Sequence, residues 1–259
     1  MRVYAFGPAA ILLAMRLLHS LRGKWLRLLR ACGYRGDARF FGVRFPVRLA
    51  PSAAVIAHLD AQRYERAEAL LVRRHLPPGA MVLELGGSLG VISSVILSRR
   101  PGRLVSYEAV PAFAAVAREV VGLNHPGADY VCVNEAIGPV GVAEVSFHWS
   151  PGHSLAGSAG TAATAGLDRL RVPAVDLATA AGRHGLGPGA WLVADIEGME
   201  FELLENQPDA FALFDGVIME CHGGEQAGKF RDQREVEALL ARLGFRLLSR
   251  MGPVICMVR

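Results

Sequence analysis

The ten residues Met81 to Gly90, M-V-L-E-L-G-G-S-L-G, constrain this chain more than any other stretch. An apolar run ends in an acid, passes at once into glycines and continues into the apolar, helix-like segment Val91 to Leu97. A short strand, a turn almost without side chains and a helix start let a ligand of nucleotide type approach the main chain closely. The spacing is G-G-x-x-G, not G-x-G-x-x-G, and Glu84 stands two residues before the first glycine. A pyrophosphate needs free amides at the helix start, and a carboxylate at the strand end repels it. Glu84 therefore favours a ligand with a cationic end.

The rhythm around this turn is strand and helix in alternation. Candidate strands are Met81 to Leu85, Arg103 to Glu108, Tyr130 to Asn134, Ala143 to Trp149, Trp191 to Ile196, Gly216 to Glu220, Phe245 to Arg250 and Val254 to Val258. Candidate helices are Gln62 to Leu76, Val91 to Arg99, Pro111 to Asn124, Val175 to His184, Glu200 to Glu205 and Gln233 to Leu243. Several strands are continuous apolar runs, as in a sheet covered by helices on both faces. The expectation is a doubly wound, mostly parallel α/β domain over residues 61–259, with the last strands forming an antiparallel edge. Residues 1–60 are expected to be an extension of one amphipathic helix and an edge hairpin at Phe40 to Leu49, which contains Gly42 and Pro46. The small, glycine-rich segment Ser150 to Gly166 reads as a lid beside the site or as plain surface loop.

In the extension, helical spacing over Met15 to Arg30 puts Leu17, Leu18, Leu21, Trp25, Leu28 and Leu29 on one side. Arg16, His19, Ser20, Gly23, Arg27 and Arg30 take the other. Such a helix commonly packs on its own domain or on a second copy of the chain; the alternative is an anionic membrane surface, which suits its Trp and its basic residues. Between Arg16 and Arg48 the only acid is Asp37, so the chain's net charge of +4 is concentrated there and a basic nucleic-acid groove across the domain is not expected. Arg16, His19, Arg22 and Lys24 interrupt any membrane span, and no cleavage site marks a signal peptide. Cys32, Cys132, Cys221 and Cys256 lack C-x-x-C spacing, which points to reduced thiols in a cytoplasmic protein.

Further acids fall where an open parallel sheet holds its ligands. Glu108 ends the strand after the glycine turn, 24 residues beyond Glu84, where a carboxylate can accept hydrogen bonds from both hydroxyls of a ribose. Asp195 and Glu197 follow the strand W-L-V-A, and Glu220 and His222 follow G-V-I-M. All four are expected at the carboxyl edge of the sheet, where carboxylates and an imidazole can take a proton from a substrate hydroxyl. A divalent cation is the other use for such groups, but no metal-ligand spacing in the sequence supports one, and none is expected.

From about Tyr64 onward, these motifs in this order resemble the FkbM-type methyltransferases, a branch of the class I enzymes that use S-adenosylmethionine. The matching pieces are Tyr64-Glu65, V-L-E-L-G-G-S-L-G, Y-E-A-V-P at Glu108 and N-E-A-I-G from Asn134. They continue with V-P-A-V-D-L from Val172, A-D-I-E-G-M-E-F-E-L-L from Ala194, I-M-E-C-H from Ile218 and the Gly-Phe at Gly244. The resemblance implies a Rossmann-like fold and methylation, usually of a hydroxyl on a sugar, a glycan or a natural product. By position, Glu84, Gly86, Gly87, Ser88 and Gly90 would frame the donor's amino acid end, and Glu108 with Ala109 its ribose. Glu135 and Ala136 would lie near the adenine, and Asp195 near the methyl group, with Asp195, Glu197 and His222 as the catalytic set. The family's first motif reads D-x-G-A-N-x-G, so Glu84, Gly87 and Ser88 are departures, as is Ala194 where a lysine precedes the aspartate.

Two other readings fit the same fold class. A nicotinamide-dependent oxidoreductase is disfavoured by the missing G-x-G-x-x-G and by the lack of a Tyr-x-x-x-Lys pair. A degenerate, non-catalytic methyltransferase domain held at a membrane or in a complex by residues 15–30 is the third.

Overall fold

A computed structural model describes residues 21–149, 158–159, 168–226 and 229–259. The front of the expected N-terminal helix and nearly all of Ser150 to Gly166 lie outside these residues. The chain divides into two compact units, residues 1–66 and 67–259.

The first unit holds helix α1 through 21–31, a hairpin of β1 (Ala38–Phe40) and β2 (Val43–Phe45), and helix α2 (Ala53–Asp60). The hairpin is antiparallel and turns at Phe41-Gly42, with Pro46 just outside the ladder. Period-two alternation buries Ala38, Phe40, Val43 and Phe45 and exposes the arginines between them. Helix α2 was not legible in the sequence; Ser52 caps it by accepting from the Val55 amide. Helix α1 reverses the expected orientation. Its inward side carries Leu26 and Arg30, and the Arg30 guanidinium pairs at 2.6 Å with Asp60, a nearly inaccessible carboxylate. Leu21, Trp25 and Leu28, expected to pack on the domain or on a second copy of the chain, are each at least 60% exposed in the single chain.

The second unit begins with α3 (Arg66–His75), β3 (Met81–Leu85), α4 (Val91–Leu97), β4 (Arg103–Tyr107), α5 (Pro111–Asn124) and β5 (Tyr130–Val133). It continues with β6 (Ala136–Ile137), β7 (Glu144–Trp149), β8 (Ser158–Ala159), β9 (Asp168–Val175), α6 (Leu177–Arg183) and β10 (Ala190–Ala194). It ends with α7 (Glu200–Asn206), β11 (Phe214–Glu220), β12 (Gly224–Gln226), β13 (Lys229–Arg231), α8 (Gln233–Arg242), β14 (Arg246–Met251) and β15 (Val254–Val258). Seven strands form the central sheet in the order β14-β15-β11-β10-β3-β4-β5. β5, β4, β3, β10 and β11 run parallel, while β15 is antiparallel to both β11 and β14. This is the doubly wound sheet with the antiparallel C-terminal edge that the sequence implies.

Both faces are covered, which explains the unbroken apolar strands. Leu83, Leu85, Val105, Leu192, Ala194, Val217 and Met219 share one core with residues of α6, α7 and α8. Val82, Leu104, Val95 and Ile96 are buried as well, each contributing roughly up to 3 kcal/mol, and Ala117 is buried beside them. Side chains alternate along a strand, so Glu84, between Leu83 and Leu85, points to the face opposite that core. β7, expected as one more strand of the main rhythm, belongs instead to a side sheet ordered β6-β9-β7-β8. Buried Gln207 ties this sheet to the rest, accepting from the Leu177 amide and donating to the Gly138 carbonyl.

The order of the central strands places the ligand. The chain leaves β3 toward β4 and β5 on one side, then returns to β10 and β11 on the other. The strand order therefore reverses between the parallel neighbours β3 and β10, and such a switch point opens a crevice at the carboxyl ends of those two strands. The glycine turn lies there on one side, and Asp195 on the other.

Candidate active site

Backbone contacts lock the two motifs together. The Asp195 amide donates to the Leu85 carbonyl at 3.0 Å, and Gly86, with φ +82°, lies against the Asp195 main chain. A β-carbon on Gly86 would stand 1.9 Å from the Asp195 carbonyl oxygen. Gly87 is needed for a different reason: a β-carbon there would meet Ser106 Oγ at 2.1 Å. Gly90 caps α4. Ser88 has φ +45°, a left-handed conformation that asparagine tolerates better than serine. The family's asparagine at this position thus suits the backbone of the turn, whatever its side chain does.

The two acids flanking the turn are buried and held differently. Glu84 Oε2 accepts from Ser93 Oγ of α4 at 2.5 Å, while its Oε1 is buried without a hydrogen-bond partner. Burial pushes its pKa up, and the serine hydroxyls only partly oppose this. Glu108 lies just after β4 and reaches back to the turn, where Oε2 accepts from the Ser88 amide at 2.7 Å. Its Oε1 accepts from Val110 at the same distance. Asn134 Nδ2 donates to the carbonyls of Glu108 and Ala109, so this asparagine, which the sequence reading did not single out, fixes the turn that carries the carboxylate.

Burial raises the pKa of Glu108 to about 7, against the two amide hydrogen bonds that lower it. A carboxyl whose folded pKa is raised binds its proton more tightly in the native state. Its stabilising effect is complete below the unfolded value and is lost as pH rises from about 4.5 to about 7. Denaturant unfolding of the ligand-free protein should therefore lose about 2 kcal/mol between pH 5 and pH 8 through this group. Glu108→Gln should remove that part of the slope, while lowering stability at pH 5 by the one amide bond that glutamine cannot accept. An unchanged slope in the variant would show that Glu108 titrates normally.

Glu135 and Ala136 follow β5. The Glu135 carboxylate pairs with Arg183 of α6 at 2.8 Å, and Ala136 is buried in the β6 pairing with β9. Ala194 is fully buried in the apolar core, so this position gives the crevice no polar group.

At the ends of β10 and β11 the structure brings Asp195, Glu197 and His222 together, as the strand-end argument requires. Glu197, at φ +49°, turns the loop after β10 so that its carboxylate comes back to His222, 3.4 Å from Nε2. Asp195 Oδ1 is 3.7 Å from the same nitrogen. The other ring nitrogen, Nδ1, lies 2.6 Å from Oε1 of Glu200, whose side chain is wholly buried at the start of α7. Glu200 escaped the sequence reading because an acid in a first helical turn is ordinary. Only the pairing of β10 with β11 brings it under a histidine 22 residues away.

The electrostatics follow from crowding. Burial first, then the charges of Glu220 and Glu197, raise Asp195 to about 7. Burial also raises Glu197 and Glu220. For His222 burial acts downward, but the Glu200 hydrogen bond and the charges of Glu200, Asp195 and Glu197 outweigh it and lift the imidazole to about 9. The four cysteines are free thiols and take no part in this cluster.

A sequence model of one protein family, the Methyltransferase FkbM domain, matches residues 84–247, which include both the glycine turn and the carboxylate cluster. The chain belongs to the FkbM methyltransferase family. S-adenosylmethionine is accordingly its methyl donor, and the nicotinamide oxidoreductase reading falls. Comparison with curated proteins gives no match. Among solved structures, the ribosomal protein L11 methylase of Lactobacillus delbrueckii subsp. bulgaricus is 15% identical with a TM-score of 0.44, over 76% of this chain and 77% of that one. Magnesium protoporphyrin IX methyltransferase from Synechocystis PCC 6803, solved with bound SAM, is 12% identical with a TM-score of 0.44, over 74% and 76%. A NADB-Rossmann superfamily protein from Streptococcus agalactiae is 9% identical with a TM-score of 0.46, over 74% and 67%.

The crevice of this FkbM protein fits the donor. Gly86 and Gly87 pack so closely on the Asp195 main chain and on Ser106 Oγ that added β-carbons would collide with them, so the turn holds this shape only with glycine. Glu108 presents oxygens with lone pairs left over from its two amide bonds, as a ribose diol requires. The acids around it suit a cationic ligand.

Proposed function

We propose that this FkbM protein methylates a hydroxyl group of a small molecule, a sugar or a glycan, with the acceptor oxygen held by Asp195, Glu197 and His222. The observation that carries this reading is the position of Asp195. Its main chain abuts the glycine turn, and its side chain belongs to the carboxylate and imidazole cluster. Donor and acceptor groups are thus adjacent by construction.

The donor supplies an already activated methyl group on a sulfonium. The chain's own residues have to align an oxygen behind that carbon, exclude water and draw off the hydroxyl proton. The turn Glu84 to Gly90 and Glu108 do the first part by fixing the donor. The cluster does the last, because a carboxylate of Asp195 or Glu197 can accept the hydroxyl proton as the oxygen–carbon bond forms. The same charge repels carboxylate and phosphate acceptors, which leaves neutral polyols as the matching class. A panel of hydroxylated acceptors, incubated with the full chain and methyl-labelled S-adenosylmethionine, tests this. Label on a hydroxyl oxygen supports the reading, and label on nitrogen or carbon refutes it.

The extension gives this enzyme a contact with an anionic membrane surface. Leu21, Trp25 and Leu28 form an exposed stripe on the side of α1 opposite Arg30, and Arg22, Lys24 and Arg27 beside it are exposed too. Apolar wedge and basic flank together match the requirements of an interfacial helix. No helix of the described residues is long and apolar enough to cross a membrane. The full chain should co-sediment with vesicles rich in phosphatidylglycerol and not with phosphatidylcholine vesicles, and Trp25→Ala should weaken that binding about tenfold or more. A dimer that Trp25→Ala dissociates, with no vesicle binding by the parent, would assign the stripe to a second copy instead.

A further inference from the structure

The cluster at the ends of β10 and β11 has a gap at its centre. Asp195 Oδ1 and Glu197 Oε2 both face His222 Nε2, at 3.7 and 3.4 Å, longer than a charge-assisted hydrogen bond of about 2.8 Å. Yet Asp195 Oδ1 is fully buried and has no hydrogen-bond partner. If the histidine served only to neutralise these acids, the three atoms would close to about 2.8 Å. They stand apart, yet one ligand atom of each residue lies within 4.8 Å of the other two. Ligand atoms about 2.1 Å from a shared cation lie about 3 Å apart when adjacent and about 4 Å apart when opposite, and the 3.7 and 3.4 Å separations from Nε2 fall in that interval.

The other side of the histidine agrees. Nδ1 is held at 2.6 Å by Glu200, a wholly buried carboxylate, which fixes the ring with Nε2 toward the gap. A carboxylate on the far nitrogen of a histidine is the usual support of a metal-bound imidazole. Three carboxylates, those of Asp195, Glu197 and Glu200, lie within 4 Å of this one imidazole, two of them on the Nε2 side.

We propose that Asp195, Glu197 and His222 bind a divalent cation of the magnesium or manganese class, with Glu200 as the positioning residue. The inference rests on the acceptor reading above, since the cation's open positions are where an acceptor hydroxyl coordinates. A coordinated hydroxyl loses its proton to solvent more easily, and its oxygen is then held in line with the donor. Two oxygens and one nitrogen leave about three positions of an octahedral shell for water or for a diol. A vicinal diol, bound through both oxygens, is therefore the acceptor class that the site favours.

The test uses Mn²⁺ as the probe, on the full chain without acceptor, by electron paramagnetic resonance and calorimetry. One equivalent should bind at micromolar concentration. Glu197→Gln, on a partly exposed loop, should weaken binding at least tenfold with the unfolding midpoint unchanged. Glu200→Gln, which keeps a hydrogen-bond acceptor for His222, should weaken it less than Glu197→Gln. Absence of stoichiometric Mn²⁺ binding, or binding untouched by Glu197→Gln, overturns the proposal. S-adenosylhomocysteine binding, measured on the same sample, reports separately on the donor site. A protein that binds it but not Mn²⁺ remains a methyltransferase whose cluster works without a cation, and one that binds Mn²⁺ alone loses the methyltransferase reading and keeps the metal site.

Discussion

Gly86→Ala should abolish donor binding and destabilise the second unit by roughly 3 kcal/mol or more. Two independent costs add at this residue. Its φ of +82° is one that alanine adopts only with strain, worth about 1–2 kcal/mol. The new β-carbon would also lie 1.9 Å from the Asp195 carbonyl oxygen, a backbone atom that cannot rotate away. Relief requires β3 and β10 to part at the point where the Asp195 amide bonds to Leu85, which deforms the crevice proposed for the donor. Denaturant unfolding and calorimetry with S-adenosylhomocysteine should both register the change. A variant of unchanged stability that still binds would mean that the two motifs are not locked together.

Asp195→Asn should lower turnover about 10³-fold while leaving S-adenosylhomocysteine affinity within about threefold of the parent. The isosteric amide keeps the main-chain contact with the glycine turn, so the donor site survives. What changes is the charge facing His222 and the orphaned Oδ1 at the centre of the cluster. The split between kcat and donor binding separates a role in chemistry from one in folding, and the unfolding midpoint should move by no more than a few degrees. His222→Ala should fall in the same class, because it removes the group on which Asp195, Glu197 and Glu200 converge. If both variants turned over at the parental rate, the cluster would have no part in the reaction.

The parts of this molecule legible in the sequence are those where local pattern and tertiary need coincide. β3 and α5 have the bounds that the apolar run and the Pro111 start indicate, because a doubly covered strand and a proline-initiated helix carry strong local marks. The strand-end acids fell where the parallel topology puts them. Helix α2 was missed because A-A-V-I-A-H-L-D is apolar nearly all round and too short to show a period. β9 was missed because Pro173 and alternating charges hide its ladder with β7. The facing of α1 depends on one ion pair, Arg30 with Asp60, between residues 30 apart in the chain. Glu200 and Asn134 act only through partners that folding brings to them, a histidine and two carbonyls. No spacing rule reports such pairs.

The central claim is that the glycine turn, Glu108 and the end of β10 form one donor site. Calorimetry of the full chain with S-adenosylhomocysteine, and in parallel with NADH, tests it most directly. The structure predicts one molecule of S-adenosylhomocysteine bound at micromolar concentration, lost in Gly86→Ala, and no heat from NADH. Binding of NADH, or no binding of either ligand by a folded parent chain, would contradict it.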